Sequence, residues 1–176
     1  MKPMIEKLPR NRNNSFLAST FRTPDFEVPW HQHEEYELIL FKEGEGSSFI
    51  GNYVGDFKTD DIFFLGSNLP HTFQKAGKNM ITSAVVVQFK EDFWGRDFLE
   101  IPECRSIRRL FDKSIKGLKL LGNTKKKLIP MICRLETLTG LRRITCLCDC
   151  LQLIADSKEY ETVSTHEVTS FTPKTQ

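Results

Sequence analysis

The chain has 176 residues, with 25 Lys+Arg against 23 Asp+Glu, a net charge of +2 and 39% hydrophobic residues. That length builds one domain with a real core and leaves a split into two tight. The near-balance of charge excludes a surface devoted mainly to a phosphate backbone, and no run is long and apolar enough to span a bilayer.

Residues 1–14 read as an N-terminal arm. The stretch MKPMIEKLPRNRNN is charged with no apolar run behind it, so it does not read as a secretory signal, and the cytoplasm is the expected location. From Ser15 to about Lys90 the runs SFLASTF, YELILFK, SSFIGNYV, DIFFLG, HTFQ and ITSAVVVQF are separated by the turn signals TPDFEVP, EGEG, GD and GSNLP. Short strands at this spacing predict a sandwich or barrel, and the 14 phenylalanines suit sheet faces packed on one another. The barrel is expected over residues 15–101.

From about Pro102 the period becomes helical. Ile107, Leu110, Phe111, Ser114, Ile115 and Leu118 recur at spacings of three and four. Gly117 or Gly122 can end this helix, and Asn123 or Thr124 can cap the next. In TKKKLIPMICRLETL, Pro130 either kinks a helix or sits in the first turn of one beginning near Leu128. The triple lysine Lys125–Lys127 reads as a solvated helix start. Gly140 precedes LRRITCLCDCLQLIADS, in which Arg142 and Arg143 read as an exposed pair. That helix is apolar on two faces: Leu141, Ile144, Cys148, Leu151 and Ala155 on one, Leu147 and Ile154 on the other. The excess predicts a second partner, and Leu141, Ile144, Leu147, Cys148, Leu151 and Ile154 are the candidate dimer interface of a helical segment at 102–158. Residues 159–176, with His166, lose periodicity and are expected to be a frayed tail. The five cysteines are expected to be reduced thiols. In CLCDC, Cys148 points away from Cys146 and Cys150, against a closed zinc site.

The chemistry concentrates in PWHQHEEYELILFKEG. If this is one strand, His31, His33, Glu37, Ile39 and Phe41 share a face. Two imidazoles roughly 6.6 Å apart along a strand can lean onto one ion, with metal–nitrogen bonds near ~2.1 Å. His71 in GSNLPHTF is the further candidate ligand, and Phe73 shares its parity. Three readings stay open: a metal site on His31, His33, Glu37 and His71; a polar cluster lining a ligand pocket; and a structural network of imidazoles satisfied by Glu37.

The pattern His31, His33, Glu37, Gly44 resembles the first cupin motif, and GDFKTDDIFFLGSNLPH, ending at His71, resembles the second. The family's leading glycine is absent, and Asp25 stands six residues before His31. The order of PWHQHEEYELILFKEGEG, GSNLPHTF, VVVQFKEDFWGRDFLEIPE and LQLIADSKEYE resembles the N-terminal sensor domain of AraC-family transcriptional regulators over nearly the whole chain. The resemblance implies a mainly β fold: a cupin barrel (double-stranded β-helix, jelly roll) followed by an α-helical dimerisation segment. It also implies a small-molecule effector, a sugar among the candidates, held by His31, His33, Glu37, Ile39, Phe49, His71 and Phe73. The implied oligomer is a homodimer. DNA is reached only through a C-terminal helix-turn-helix domain lacking here, and there is no catalysis and no membrane contact. The last helix does not look like a recognition helix, because it carries CLCDCLQLIA where exposed basic residues belong. The second function is a metal-dependent cupin enzyme, a dioxygenase or isomerase, with Zn, Fe, Ni or Mn as its divalent ion.

Overall fold

The computed structural model describes residues 1–9, 12–24, 26 and 28–165. Its strands are β1 (Met4–Ile5), β2 (Leu17–Arg22), β3 (His31–Gln32), β4 (Tyr36–Glu43), β5 (Glu45–Ile50), β6 (Tyr53–Lys58), β7 (Ile62–Leu65), β8 (His71–Lys75), β9 (Ser83–Phe89), β10 (Leu118–Leu120) and β11 (Tyr160–Thr162). The helices are α1 (Arg105–Ser114), α2 (Gly122–Leu135) and α3 (Leu141–Ser157), after two short 3-10 turns at Phe98–Glu100 and Pro102–Cys104.

One sheet runs β1-β3-β8-β5-β6 and the other β11-β10-β7-β4-β9-β2. Every pairing is antiparallel except β1 with β3. The sheets face each other as the two layers of a cupin jelly roll, filled by Phe26, Ile39, Phe41, Ile50, Phe57, Phe63, Leu65 and Phe73.

The larger sheet is apolar on both sides, which explains why β4, reading YELILFKE, is buried without interruption from Tyr36 to Phe41. Ile39 and Phe41 face the barrel. Tyr36, Leu38 and Leu40 face a second core with Phe64, Val87, Phe89, Phe111, Leu147 and Leu151. Strand alternation divides one apolar run between two cores. Tyr36 stacks on Phe111 at 4.3 Å, tying β4 directly to α1.

Local chemistry sets the turns. Register pairs Ile50 with Tyr53, leaving Gly51-Asn52 as a two-residue hairpin loop, and Gly51 holds the positive φ of +56° such a loop requires. Gly140, also at positive φ (+60°), directly precedes α3.

The helical half departs from its periodicity at Leu118 and in the tail, and Pro130 decides between two open readings. Leu118 is on strand β10, opposite Phe64 of β7, and not on the first helix. Gly117 turns the chain at φ +70°, after which Leu-Lys-Leu alternates buried, half-buried, buried. The second helix runs from Gly122 through Pro130 to Leu135, so Pro130 lies inside it and leaves the carbonyl four residues earlier without that donor. The tail expected to fray forms β11 against β10, extended by Val163 N–H to Gly117 O at 3.0 Å and Ser164 N–H to Lys116 O at 2.8 Å. His166 and the residues after it lie outside the described residues, as does Asp25.

One charge read as exposed is structural. Arg143 is buried; it donates to Phe16 O at 2.7 Å and its guanidinium lies 3.8 Å from the Phe16 ring centre. Asp61 is buried between Lys119 at 3.2 Å and Lys125 at 3.4 Å. On the outer edge of β2, the N–H and hydroxyl of Thr20 both donate to Glu136, at 2.7 and 2.8 Å. No described helix is long and apolar enough to cross a membrane, and all five cysteines are free thiols.

Candidate functional site

Strand pairing assembles the polar cluster. β3 and β8 meet at His31 opposite His71, which brings those rings to 4.3 Å. His33 follows β3 and stands 5.6 Å from His31 and 5.2 Å from His71. Glu37, near the start of β4, reaches in from the other sheet, and its register partner on β9 is Gln88. All five side chains are buried.

Backbone carbonyls orient the imidazoles. Nδ1 of His31 faces Pro29 O at 2.8 Å, Nδ1 of His33 faces Glu35 O at 3.0 Å, and Nδ1 of His71 faces Leu69 O at 2.8 Å. Each Nδ1–H donates outward, so each Nε2 is directed into the cluster. Nε2 of His33 lies 3.0 Å from Glu37 Oε2, Nε2 of His71 lies 3.6 Å from the same oxygen, and Gln88 Nε2 donates to it at 3.0 Å. Nε2 of His31 turns instead to Glu6 of the arm, at 3.4 Å.

The titration behaviour follows from these contacts. Burial lowers His31 to about 4, with the neighbouring His71 adding to the effect. Burial also opposes charge on His33, but its hydrogen bond to Glu37 and the Glu37 charge outweigh it and raise that imidazole. Burial works against ionised Glu37 in the same way. The attraction of His71 and the hydrogen bonds from His33 and His71 prevail, holding the carboxyl well below the usual carboxylate range. His33 and Glu37 therefore form a close, buried acid–base pair in which each favours the charged form of the other.

The three histidines fit a divalent cation. Their ligand atoms lie within 4.8 Å of one another, and the three Nδ1 atoms are already committed to carbonyls, the second-sphere arrangement metal-bound histidines use. Ligand atoms about an ion with ~2.1 Å bonds sit roughly 3–3.5 Å apart, so binding draws the rings together. Glu37 touches two of the three through one oxygen.

Beside the cluster lies a cavity of about 100 Å³, lined in part by His31, Glu37, Ile39, His71 and Phe73. Five of the seven side chains expected to hold a ligand therefore border it. His33 does not, and acts through Glu37. Phe49 does not either: on β5 the buried positions are Gly46, Ser48 and Ile50, so Phe49, of opposite parity, points away from the interior. Periodicity alone did not reveal Glu6, Leu8, Phe21, Phe26, Val28, Val86 and Gln88, which complete the lining. The arm reaches the cavity because β1 runs parallel to β3, with Met4 N–H on Trp30 O at 3.0 Å and Glu6 N–H on Gln32 O at 2.9 Å. Val28 is anchored by the hydroxyl of Thr72, which donates to its carbonyl at 2.6 Å.

Residues 13–87 match the family model of the AraC-like ligand binding domain. Over the barrel, the chain is similar to that ligand-binding domain. No curated protein matches the chain. Among solved structures, ToxT from Vibrio cholerae strain SCE256, with unsaturated fatty acid bound, is similar over 85% of this chain and 56% of its own, at 13% identity and a TM-score of 0.53. ToxT from Vibrio cholerae O395, bound to (E)-4-(8-methylnaphthalen-1-yl)but-3-enoic acid, is similar over 78% and 54%, at 14% identity and a TM-score of 0.51. A predicted oxalate decarboxylase from Thermotoga maritima also matches, over 42% of this chain and 65% of its own, at 24% identity and a TM-score of 0.38. The chain spans about half the length of the ToxT chains. The matched residues include every histidine of the cluster, Glu37 and the β8 wall, whereas Gln88 and α1 to α3 lie beyond them.

The same helices relocate the candidate interface. Leu147, Leu151 and Ile154 are fully buried within the chain, packed with Leu38, Val87 and Phe111 against the barrel's larger sheet, so no second subunit can reach them. Their apolar excess serves the sheet and the neighbouring helices. Of the six interface candidates, Leu141 is exposed and Ile144 and Cys148 are half-buried.

Proposed function

We propose that this chain is the sensor of an AraC-type transcription regulator, holding a small organic effector in the barrel. DNA is then bound by a separate C-terminal helix-turn-helix domain. The observation that carries this reading is the cavity itself: about 100 Å³ between the sheets, apolar along most of its wall, with polar groups converging at one end. Binding sites have that composition. The ToxT structures, described with an unsaturated fatty acid and with a naphthalenyl-butenoic acid, support an apolar ligand for the fold. A sugar suits the lining less well, because a hydroxyl on nearly every carbon needs more partners than Glu6, Glu37, His31, His71 and Gln88 supply.

The signal leaves through β4. Ile39 and Glu37 meet the effector on one face, and Tyr36 and Leu38 press on the helices from the other. An effector that binds one packing of this sheet better than another shifts the helices with it. A homodimer built on the open side of α3, at Leu141, Ile144 and Cys148, carries that shift to a partner subunit. A thermal-shift screen of small organic molecules tests the sensor reading. A true effector at about 100 times its Kd stabilises by about 2.7 kcal/mol. Filling the cavity with Val86→Phe abolishes the response. A response that survives in a folded variant places the ligand elsewhere and defeats the reading.

The histidine triad favours a second reading, a metal-dependent cupin enzyme. A divalent ion held by His31, His33, His71 and Glu37 would supply a Lewis acid. Elemental analysis of protein purified without an affinity tag, beside the His31→Ala/His33→Ala double variant, decides. Stoichiometric metal lost in the variant, together with turnover of a substrate, replaces the sensor by the enzyme.

A further inference from the structure

We infer that the cavity selects a single-ring, apolar molecule bearing a hydrogen-bond donor, an amine in preference to a carboxylate. This rests on the sensor reading above and narrows its ligand.

Three observations carry it. First, no Lys or Arg is among the described residues lining the cavity, while two carboxylates, Glu6 and Glu37, are. A carboxylate ligand finds no fixed cation to pair with and meets like charge at the polar end.

Second, the imidazoles already have their partners. Each Nδ1 faces a backbone carbonyl. Nε2 of His33 and of His71 faces Glu37, and Nε2 of His31 faces Glu6. An incoming anion displaces one of these carboxylates or stands beside it.

Third, Glu37 has acceptor capacity to spare. Oε2 takes the contacts from His33, His71 and Gln88, whereas Oε1 accepts no hydrogen bond among the described residues. Glu37 is only 4% exposed and borders the cavity. A carboxylate oxygen that borders the cavity and carries no protein donor can accept a ligand N–H or O–H.

The remaining wall sets the body of the ligand. Phe21, Phe26, Ile39, Phe73 and Val86 are apolar. The volume of about 100 Å³ is smaller than the roughly 150 Å³ that accommodates benzene in an engineered protein cavity, so one ring is the most it takes.

The test compares three probes of one shape: benzylamine, benzyl alcohol and benzoate. Binding is measured by calorimetry and thermal shift in EDTA, so that no adventitious metal supplies an anion site. We expect benzylamine to bind at least tenfold tighter than benzoate, with benzyl alcohol between. Glu6→Gln, on the exposed arm, should narrow the gap between benzylamine and benzyl alcohol while the fold stays intact. Glu37→Gln, if it folds, should narrow it further, and Val86→Phe should abolish binding of all three. Benzoate binding as tightly as benzylamine, or a gap unmoved by Glu6→Gln, overturns the inference and leaves the sensor reading standing. If no probe binds, the inference falls, and the broader thermal-shift screen decides the sensor reading by itself.

Discussion

Glu37 accepts three contacts through one oxygen while 4% exposed. Removing the charge leaves His33 buried without its counter-ion, the situation in which breaking a buried pair costs most. Glu37→Gln is expected to lower unfolding stability by about 3 kcal/mol, read as a fall in the urea midpoint at pH 7.

His31 gives a pH signature of the opposite kind. Lowered to about 4 in the folded chain, it stays neutral where the unfolded chain, with an ordinary value near ~6.5, takes up a proton. The unfolded state then binds more protons between about pH 6.5 and 4, so this residue costs stability as pH falls through that window. His33 is raised and runs the other way: its contribution is full below about 6.5 and fades as pH climbs through the folded value. His31→Gln should therefore gain about 1–2 kcal/mol relative to the parent on going from pH 8 to pH 4.5, after allowance for solvent screening. Paired urea titrations at the two pH values read this difference. An unchanged difference would show that His31 ionises freely.

At the scale of elements, the arm matters most. β1 is held by two residues of parallel pairing and by Glu6 against His31, and it brings Glu6 and Leu8 to the cavity. Little apolar surface secures it, since Met4 and Ile5 are exposed. Deleting residues 1–9 is expected to leave the far-UV circular dichroism unchanged and to raise binding of an apolar dye. If dye fluorescence stays at the parent level, the arm does not cover the cavity.

Period two along Trp30–Phe41 was enough to name Glu37 and Ile39, and the parity of His71 was enough for Phe73. Glu6 was hidden because a parallel pairing to β3 leaves no trace in local pattern. Gln88 was hidden because a lone amide in VVVQF reads as the solvent side of a strand; only its register with Glu37 shows otherwise. Phe49 was misplaced because alternation says which residues share a face, not which face is inward. Leu147, Leu151 and Ile154 failed for the same reason: helical spacing cannot tell a sheet of the same chain from a second subunit. Leu118 fitted two periods at once, and the positive φ of Gly117 decided between them.

For the molecule as a whole, the larger sheet is a wall shared by two cores. Side chains of β4 alternate between the cavity and the helices, so the helices are held in place by the same backbone that holds the effector. Dimerisation through the open side of α3 predicts that Leu141→Glu combined with Ile144→Glu lowers the sedimentation coefficient to that of a monomer without lowering the melting temperature. Sedimentation velocity at several concentrations reads this. A parent protein that is already monomeric at high concentration rules out that interface.

The bond between Thr20 and Glu136 has a consequence for solubility. β2 ends its sheet, and a row of unpaired amides along LASTFR is a template on which another chain can add a strand. A side chain from the end of α2 occupies one of those amides and the hydroxyl beside it. Glu136→Ala frees that amide, and stored protein is then expected to aggregate faster than the parent, read by light scattering.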